Sequence, residues 1–94
     1  ELRAGALDPD QAVTLAQWLA AEGDVAAAAG VLEVAVARPG ESAALARAMV
    51  VLARICDERL GDALKARRFY EDVARRFPGS PAAKFAADRL ALKA

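Results

Sequence analysis

The sequence repeats one pattern of small and apolar residues. The first copy is Leu15, Ala16, Leu19, Gly23, Asp24, Ala28, Leu32 and Ala35, and the second is Leu52, Ala53, Cys56, Gly61, Asp62, Ala66, Tyr70 and Val73. In each copy, apolar residues at helical spacing stand on both sides of a Gly-Asp step, which predicts two helices joined by a tight turn. An internal repeat of helix pairs is typical of an α-solenoid, in which each pair buries one face against the next.

Helix start and stop signals divide the chain into five helices. Asp8 before Pro9, and Ser80 before Pro81, each place a capping side chain ahead of a proline at the first helical position. The predicted helices are about 9–22, 25–37, from 41 or 42 to 60, 63–77 and 81–93, with residues 1–7 carrying no clear signal. Strand-forming residues never alternate with polar ones, so we expect an all-α fold without a sheet.

Small residues predict how the paired helices pack. Ala16 and Ala28 in the first pair, and Ala53 and Ala66 in the second, lie on the stripes that face each other. Helices joined by a short turn can approach closely only where such stripes are small. Gly30, inside the second helix, is a candidate point of close approach, although simple tolerance of glycine is an equal alternative.

The residue inventory argues against catalysis. The chain has no histidine, so the commonest general base and metal ligand is missing, and its one cysteine, Cys56, falls on an interior helix position. Neither a calcium-loop spacing nor a glycine-rich phosphate loop occurs. We therefore expect no enzyme activity, cofactor or metal site. No apolar run reaches the roughly 18 residues of a membrane span, and a chain that starts at Glu1 is expected to be a piece of a longer protein.

Charge is distributed unevenly along the chain. Residues 1–46 hold seven acidic and two basic residues, whereas residues 47–94 hold six acidic and eleven basic ones, so the balances of −5 and +5 cancel. Such a surface could associate head to tail, bind a partner of mixed charge, or simply be solvated. The doublets Arg67-Arg68 and Arg75-Arg76 alternate with acidic residues at helical spacing, which argues against nucleic-acid binding.

At these positions the sequence resembles the tetratricopeptide repeat (TPR) family. The matching residues are Leu15, Ala16, Gly23, Ala28, Ala35 and Pro39, and then Leu52, Ala53, Gly61, Ala66, Tyr70 and Pro78. The resemblance implies a single domain over residues 1–94, an α-solenoid with TPR-like pairs at about 9–40 and 42–79 and a capping helix at about 81–93. Leu19 and Cys56 replace the family's usual aromatic residue, and the copies are about 38 residues apart where the family has 34.

Two bacterial subgroups of the family are similar in layout. The segment 76–90 resembles the end of periplasmic TPR proteins that work beside the Tol-Pal envelope machinery, and the segment from Ala16 to Leu19 with its following turns is similar to the alanine-rich tails of some rhomboid-family membrane proteins. Both likenesses imply a position near a bacterial envelope, as a soluble part on its cytoplasmic or periplasmic side.

The resemblance also implies a binding face. In this family the first helix of each pair lines the concave side, where a protein or peptide partner binds. At family spacing this face consists of Asp10, Val13, Gln17, Arg47, Val50, Arg54 and Asp57. We expect Arg47 and Arg54 to receive a carboxylate or an acidic peptide and Val13 and Val50 to offer apolar contact; the alternative is that both arginines are solvated near acidic neighbours.

Trp18 suggests a second kind of function. It lies on an outer stripe of the first helix, where Leu2 or Leu7, another subunit or residues outside this chain would cover it. Two pairs and one helix are a short array, since roughly three repeats are usually needed. A structural self-assembly module, as in a homodimer, is therefore the alternative to a peptide-binding scaffold.

Overall fold

The computed structural model describes residues 8–37, 40 and 42–93. The helices are α1 (Pro9–Ala21), α2 (Val25–Val36), α3 (Ala43–Glu58), α4 (Ala63–Arg76) and α5 (Pro81–Lys93). This part of the chain contains no strand, so the all-α prediction is confirmed for it. Every helix end lies within two residues of its predicted position. The expectations for residues 1–7, for the break at 38–39 and for a helix start at 41 lie outside the described residues.

Polar side chains cap the helices where the sequence predicted. The Asp8 carboxylate accepts a bond of 2.8 Å from the amide of Gln11, and the Gln11 side chain accepts one of 3.1 Å from the amide of Asp8, which completes a capping box. Single caps at the other four helices are provided by Asp24, Ser42, Asp62 and Ser80. These side chains satisfy amide groups that would otherwise lack a partner in each first turn.

The second copy has one residue more than the first between its repeated alanine and glycine, Ala53 and Gly61, and this residue lies in the turn and not in the helix. Helix α3 was expected to reach residue 60, but it ends at Glu58. The amide of Leu60 then bonds to the carbonyl of Ile55 at 3.0 Å, and the amide of Asp62 bonds to that of Cys56 at 2.8 Å. This wider closure, with Gly61 at a φ of 68°, absorbs one residue while leaving the two helices paired.

Helices α1, α3 and α5 lie side by side and run parallel. Near their starts, Arg47 of α3 forms an ion pair with Asp10 of α1. Near their ends, Arg59 donates to the carbonyl oxygen of Ala20 at 3.5 Å, and Arg89 of α5 bonds to Glu58 at 2.6 Å. Helices α2 and α4 return in the opposite direction behind them, packed on α1 and α3 respectively.

The core lies between the two layers of helices and depends on small residues. Ala16, Ala28, Ala53 and Ala66 are all fully buried, as the pairing of small stripes requires. The larger side chains with almost no exposure are Leu32, Met49, Leu52, Cys56, Tyr70 and Val73. Gly30 is exposed, and a Cβ atom built there would meet nothing within 4 Å. The expected close approach at this glycine is therefore wrong.

Basic side chains of the second helix pair contact acceptor groups of the first pair and of the residues that follow it. Lys65 of α4 forms an ion pair of 3.0 Å with Glu33 of α2, and this hydrogen bond raises the pKa of Lys65. The Arg76 guanidinium reaches the carbonyl oxygens of Val36 at 3.5 Å and Gly40 at 3.4 Å. A cation at the carboxyl end of α2 also interacts favourably with the helix dipole.

Candidate functional site

The face formed by α1, α3 and α5 contains two clefts, one on each side of α3. The α1–α3 cleft has a volume of about 310 Å³ and is lined by Gln17, Ala20, Ala21, Val51, Arg54, Ile55, Glu58 and Arg59. The α3–α5 cleft has a volume of about 320 Å³ and is lined by Ala43, Ala46, Arg47, Val50, Ser80, Pro81 and Ala82. The first cleft lies near the ends of the parallel helices and the second near their starts.

The α1–α3 cleft exists because α1 ends in small residues. Ala20 and Ala21 lie opposite Val51 and Ile55 and leave a space with apolar walls between the two helices. Gln17 lies one turn earlier on α1 and adds an amide to the same cleft. A large residue at either alanine would fill the space.

Arginine side chains surround the far end of the α1–α3 cleft. Nε of Arg54 donates to a Glu58 carboxylate oxygen over 3.4 Å, while Nη2 of Arg89 donates to the same oxygen over only 2.6 Å. Arg59 donates to the carbonyl of Ala20 over 3.5 Å. Glu58 is therefore held mainly by Arg89, and the guanidinium groups of Arg54 and Arg59 make only long hydrogen bonds.

The structure separates the predicted binding residues into two groups. Gln17 and Arg54 line the α1–α3 cleft, whereas Arg47 and Val50 line the α3–α5 cleft. Arg47 forms its ion pair with Asp10, although both side chains remain largely exposed. The alternative expectation, that the arginines have acidic neighbours, therefore fits Arg47, and the long Arg54–Glu58 contact agrees with it.

Two predicted residues line neither of the two clefts. Val13 retains only 5% of its surface exposure and belongs to the core, so little of it is open to a partner. It is buried because α1 packs against both α2 and α3. Asp57 is half-buried and is not among the residues that line the two clefts. Its charge acts on Tyr70 of α4 instead.

Sequence reasoning missed Arg59, Val51 and Ile55. Arg59 lies one residue beyond α3 and reaches α1 only because the helix ends at Glu58. The spacing of the TPR family predicted one narrow stripe of α3 as the binding surface. In the structure, residues from a wider part of the α3 surface line the cleft. The available signal was the basic residue within the last predicted turn of α3.

Trp18 is exposed over 59% of its surface, and Val34 of α2 over 44%. No contact with another described ring or charged side chain fixes the indole of Trp18. The expectation that Leu2 or Leu7 covers it lies outside the described residues. The interface expectation for Trp18 stays a prediction.

Two buried titratable groups show no feature of a reactive site. Burial raises the pKa of the Cys56 thiol above its ordinary value of 9.0, which keeps it protonated near neutral pH. Burial also raises the pKa of Tyr70, and Arg89 opposes part of that shift through hydrogen bonding and then through its charge. Among the described residues, no group of three or more His, Cys, Asp or Glu side chains is arranged to hold a metal ion.

None of the helices in the described residues is both long and apolar enough to cross a lipid bilayer. Comparisons of the chain with protein-family models, with curated proteins and with solved structures find no match.

Proposed function

We propose that this protein is a non-catalytic scaffold that binds a protein or peptide partner along the face formed by α1, α3 and α5. The observation that carries the proposal is the α1–α3 cleft, which combines apolar walls with the guanidinium groups of Arg54 and Arg59. Apolar contact together with charged hydrogen-bond donors is how exposed helical surfaces usually recognise a polypeptide. Neither of the two buried titratable groups, Cys56 and Tyr70, lines this cleft.

The proposal includes a TPR-like α-solenoid of two pairs closed by a capping helix. Its support is the parallel succession of α1, α3 and α5, each packed beside the one before. Helix α5 exposes polar residues together with the large apolar side chains of Phe85 and Leu92. Asp88 lies seven residues after Pro81 in α5, as the buried Ala16 lies seven residues after Pro9 in α1. Both Asp88 and Lys84 are exposed, so α5 does not present a small-residue stripe for a further helix pair at this position.

Site-specific photocrosslinking tests the binding face directly. A benzophenone amino acid replaces Gln17 in the α1–α3 cleft, and a matched variant carries it at Arg68, which is exposed on α4. In the cells that produce the protein, we expect a discrete adduct from position 17 and none of the same mass from position 68. The adduct is identified by mass spectrometry and remade from purified partner. Equal crosslinking from both positions, or none from position 17, would contradict the proposal.

A second candidate function, self-assembly, is favoured by the exposure of Trp18 and Val34 on the first helix pair. Light scattering over a range of protein concentrations tests it. An oligomer that dissociates on dilution and is weakened by Trp18→Ala would support assembly. A monomer at every concentration would remove this candidate and leave the scaffold proposal intact.

A further inference from the structure

We infer that the outer end of the first helix pair binds the same end of a second copy of this protein around a two-fold axis. This end face consists of Leu15 and Trp18 of α1 with Ala27, Val31 and Val34 of α2, all of them exposed or half-buried. The inference rests on the second candidate function, self-assembly, and adds to it the surface, the occupant and the symmetry.

The end face lies on the side of the first pair that points away from the second pair. On α1, Gln17 and Ala20 line the cleft next to α3, and the period of the helix places Trp18 on the opposite flank. On α2, Glu33 reaches α4 through its ion pair, and the same period places Val34 on the other flank. Because α1 and α2 pack on each other, the two stripes form one surface.

The corresponding surface is buried in the second helix pair. Counted from the repeated Leu15 and Leu52, Trp18 takes the position of Ile55. Leu52 and Ile55 are both buried, since the first pair packs on this side of α3. In the first pair Leu15 is only half-buried, and Trp18 is exposed over 59% of its surface. The end face is therefore a packing surface that no helix covers among the described residues.

Helix α2 also lacks the charges of a solvated helix. Among its twelve residues Glu33 is the only charged or polar one, and its ion pair with α4 uses it inside the protein. Counted from the aspartates that cap both helices, Gly30 and Val34 correspond to Arg68 and Asp72 of α4. A helix that is apolar on all sides is typical of a buried position. The exposed side of α2 is thus expected to be covered in an assembly.

The contacts that join the two described pairs are not available for a preceding helix pair. The two ion pairs between them start from Arg47 and Lys65 of the second pair. The corresponding residues of the first pair are Asp10 and Ala27. Neither of these side chains donates a hydrogen bond to a carboxylate. The end face is suited to apolar contact alone, which the same face of a second copy provides.

Helix α5 selects the two-fold arrangement over a head-to-tail one. It covers the far side of α3 and α4, and its own exposed surface mixes the charged Lys84 and Asp88 with apolar side chains. An end face placed on α5 of another copy would bury these charges without partners, which is costly. Two end faces bring no charged side chain of their own together, and a contact between identical patches has two-fold symmetry. The product is a closed dimer and not a filament.

The size of the end face implies a weak dimer. Aromatic side chains bury about 150–250 Å², so Trp18 at 59% exposure supplies on the order of 100 Å² per copy. The end face has five side chains, whereas stable complexes use roughly 20–30 residues from each partner. We therefore expect a dimer that forms at high protein concentration and dissociates on dilution.

Sedimentation equilibrium of the full protein over a range of concentrations tests the surface. Trp18→Glu places a carboxylate in the apolar contact and should raise the dissociation constant of the dimer by about 10-fold or more. The matched control is Leu64→Glu, which makes the same kind of change at a side chain of α4 that is exposed over 83% of its surface. It should leave the dissociation constant unchanged. Circular dichroism establishes that both variants are folded.

Cysteine crosslinking tests the symmetry. Gly30→Cys and Val34→Cys each place one thiol at or beside the end face, and Arg68→Cys is the control on the exposed side of α4. The original Cys56 is buried and should not react. With a short bismaleimide, we expect a covalent dimer from position 30 or 34 and none from position 68. A head-to-tail contact would not bring two copies of the same residue together.

The results that would overturn the inference also separate it from the two candidate functions. A monomer at every concentration would remove both the inference and self-assembly. A dimer that Trp18→Glu leaves unchanged, or that yields no covalent product from position 30 or 34, would mean self-assembly through another surface. Species that grow beyond the dimer would contradict the two-fold symmetry. The photocrosslinking test at position 17 bears on the scaffold proposal alone.

Discussion

Replacing Tyr70 by phenylalanine should stabilise the protein. Tyr70 is fully buried among α3, α4 and α5, and its ring lies 6.2 Å from that of Phe85 at an angle of 55°. Among the described residues, its hydroxyl oxygen and Nε of Arg89 are both buried, and neither has a partner at the distance and angle of a normal hydrogen bond, although Arg89 lies close enough to lower the pKa of Tyr70. The substitution therefore removes one unpaired polar atom and keeps the packed ring.

The expected gain is about 1 kcal/mol. Burying a hydroxyl without a partner costs about 1–3 kcal/mol in proteins, and the small cavity left by the oxygen cancels part of the gain. For a domain of this size, about 1 kcal/mol corresponds to a rise in Tm of roughly 4–8 °C. Urea denaturation followed by circular dichroism at neutral pH measures the change in the free energy of unfolding.

Alkaline pH gives an independent test of the same residue. Burial raises the pKa of Tyr70 above its ordinary value of 10.0. Above pH 10 the unfolded chain loses this proton while the folded protein keeps it, so the free energy of unfolding falls as pH rises, by up to about 1.4 kcal/mol per pH unit. The part of the fall that is due to Tyr70 ends at its folded pKa and should be absent in Tyr70→Phe, whereas the parts due to Cys56 and Lys65 remain. Because the chain has one tyrosine, tyrosinate absorbance reports its folded pKa directly.

Tyr70→Leu is the matched control, since it removes the hydroxyl but also the shape of the ring. It should destabilise the protein, because lost packing in the core outweighs the removed polar atom. A Tyr70→Phe variant less stable than the original by more than about 0.5 kcal/mol, which exceeds the usual effect of a neutral substitution, would refute the reasoning. That result would mean that the hydroxyl makes a net stabilising hydrogen bond.

Three further predictions concern the packing of the helix pairs. Ala53→Leu should overfill the fully buried seam and destabilise by about 1–3 kcal/mol, whereas Ala26→Leu at an exposed site should be nearly neutral, as measured by urea denaturation. Arg76→Ala should destabilise by about 1 kcal/mol through loss of its two carbonyl contacts between the pairs, and Arg75→Ala, at an exposed ion pair, should change thermal stability by under about 0.5 kcal/mol. The Cys56 thiol should resist Ellman's reagent in the folded protein. Because burial raises its pKa, the free energy of unfolding should begin to fall above pH 9, and Cys56→Ala should remove this first part of the fall while leaving the part due to Tyr70.

Local signals determined the helices well because each acts within one turn of the chain. Asp8 with Gln11 fixed the start of α1, and Gly23 fixed the turn that follows it. The end of α3 was placed two residues late. The geometry of the turn decides whether the extra residue of the second copy extends the helix or widens the turn. The amino-acid composition of this segment does not show which of the two occurs.

The candidate site was harder to predict because it depends on contacts between helices. Val13 lies on α1 as predicted, but its burial depends on how the neighbouring helices pack against α1. The pairing of Arg47 with Asp10 likewise depends on the relative register of two helices that are far apart in sequence. Periodicity identifies a helix face, whereas only tertiary packing decides which parts of that face stay open.

The acidic balance of the first helix pair is largely explained by contacts inside the protein. Residues 8–37 contain five acidic residues and no basic residue. Asp10 and Glu33 form ion pairs with the second helix pair, while Asp8 and Asp24 cap α1 and α2. Only Glu22 lacks such a role among the described residues. The acidic charge therefore needs no external partner to account for it, which weakens charge complementarity as a reason for head-to-tail association.

The basic surplus of the second pair has a different distribution. Arg47 and Lys65 hold the first pair through ion pairs, and Arg76 holds it through carbonyl oxygens. Arg54 and Arg59 make only the long hydrogen bonds at the edge of the α1–α3 cleft. A larger share of the acidic residues of the first pair than of the basic residues of the second is thus paired within the protein. The positive charge that remains at the cleft favours an acidic ligand over one of mixed charge.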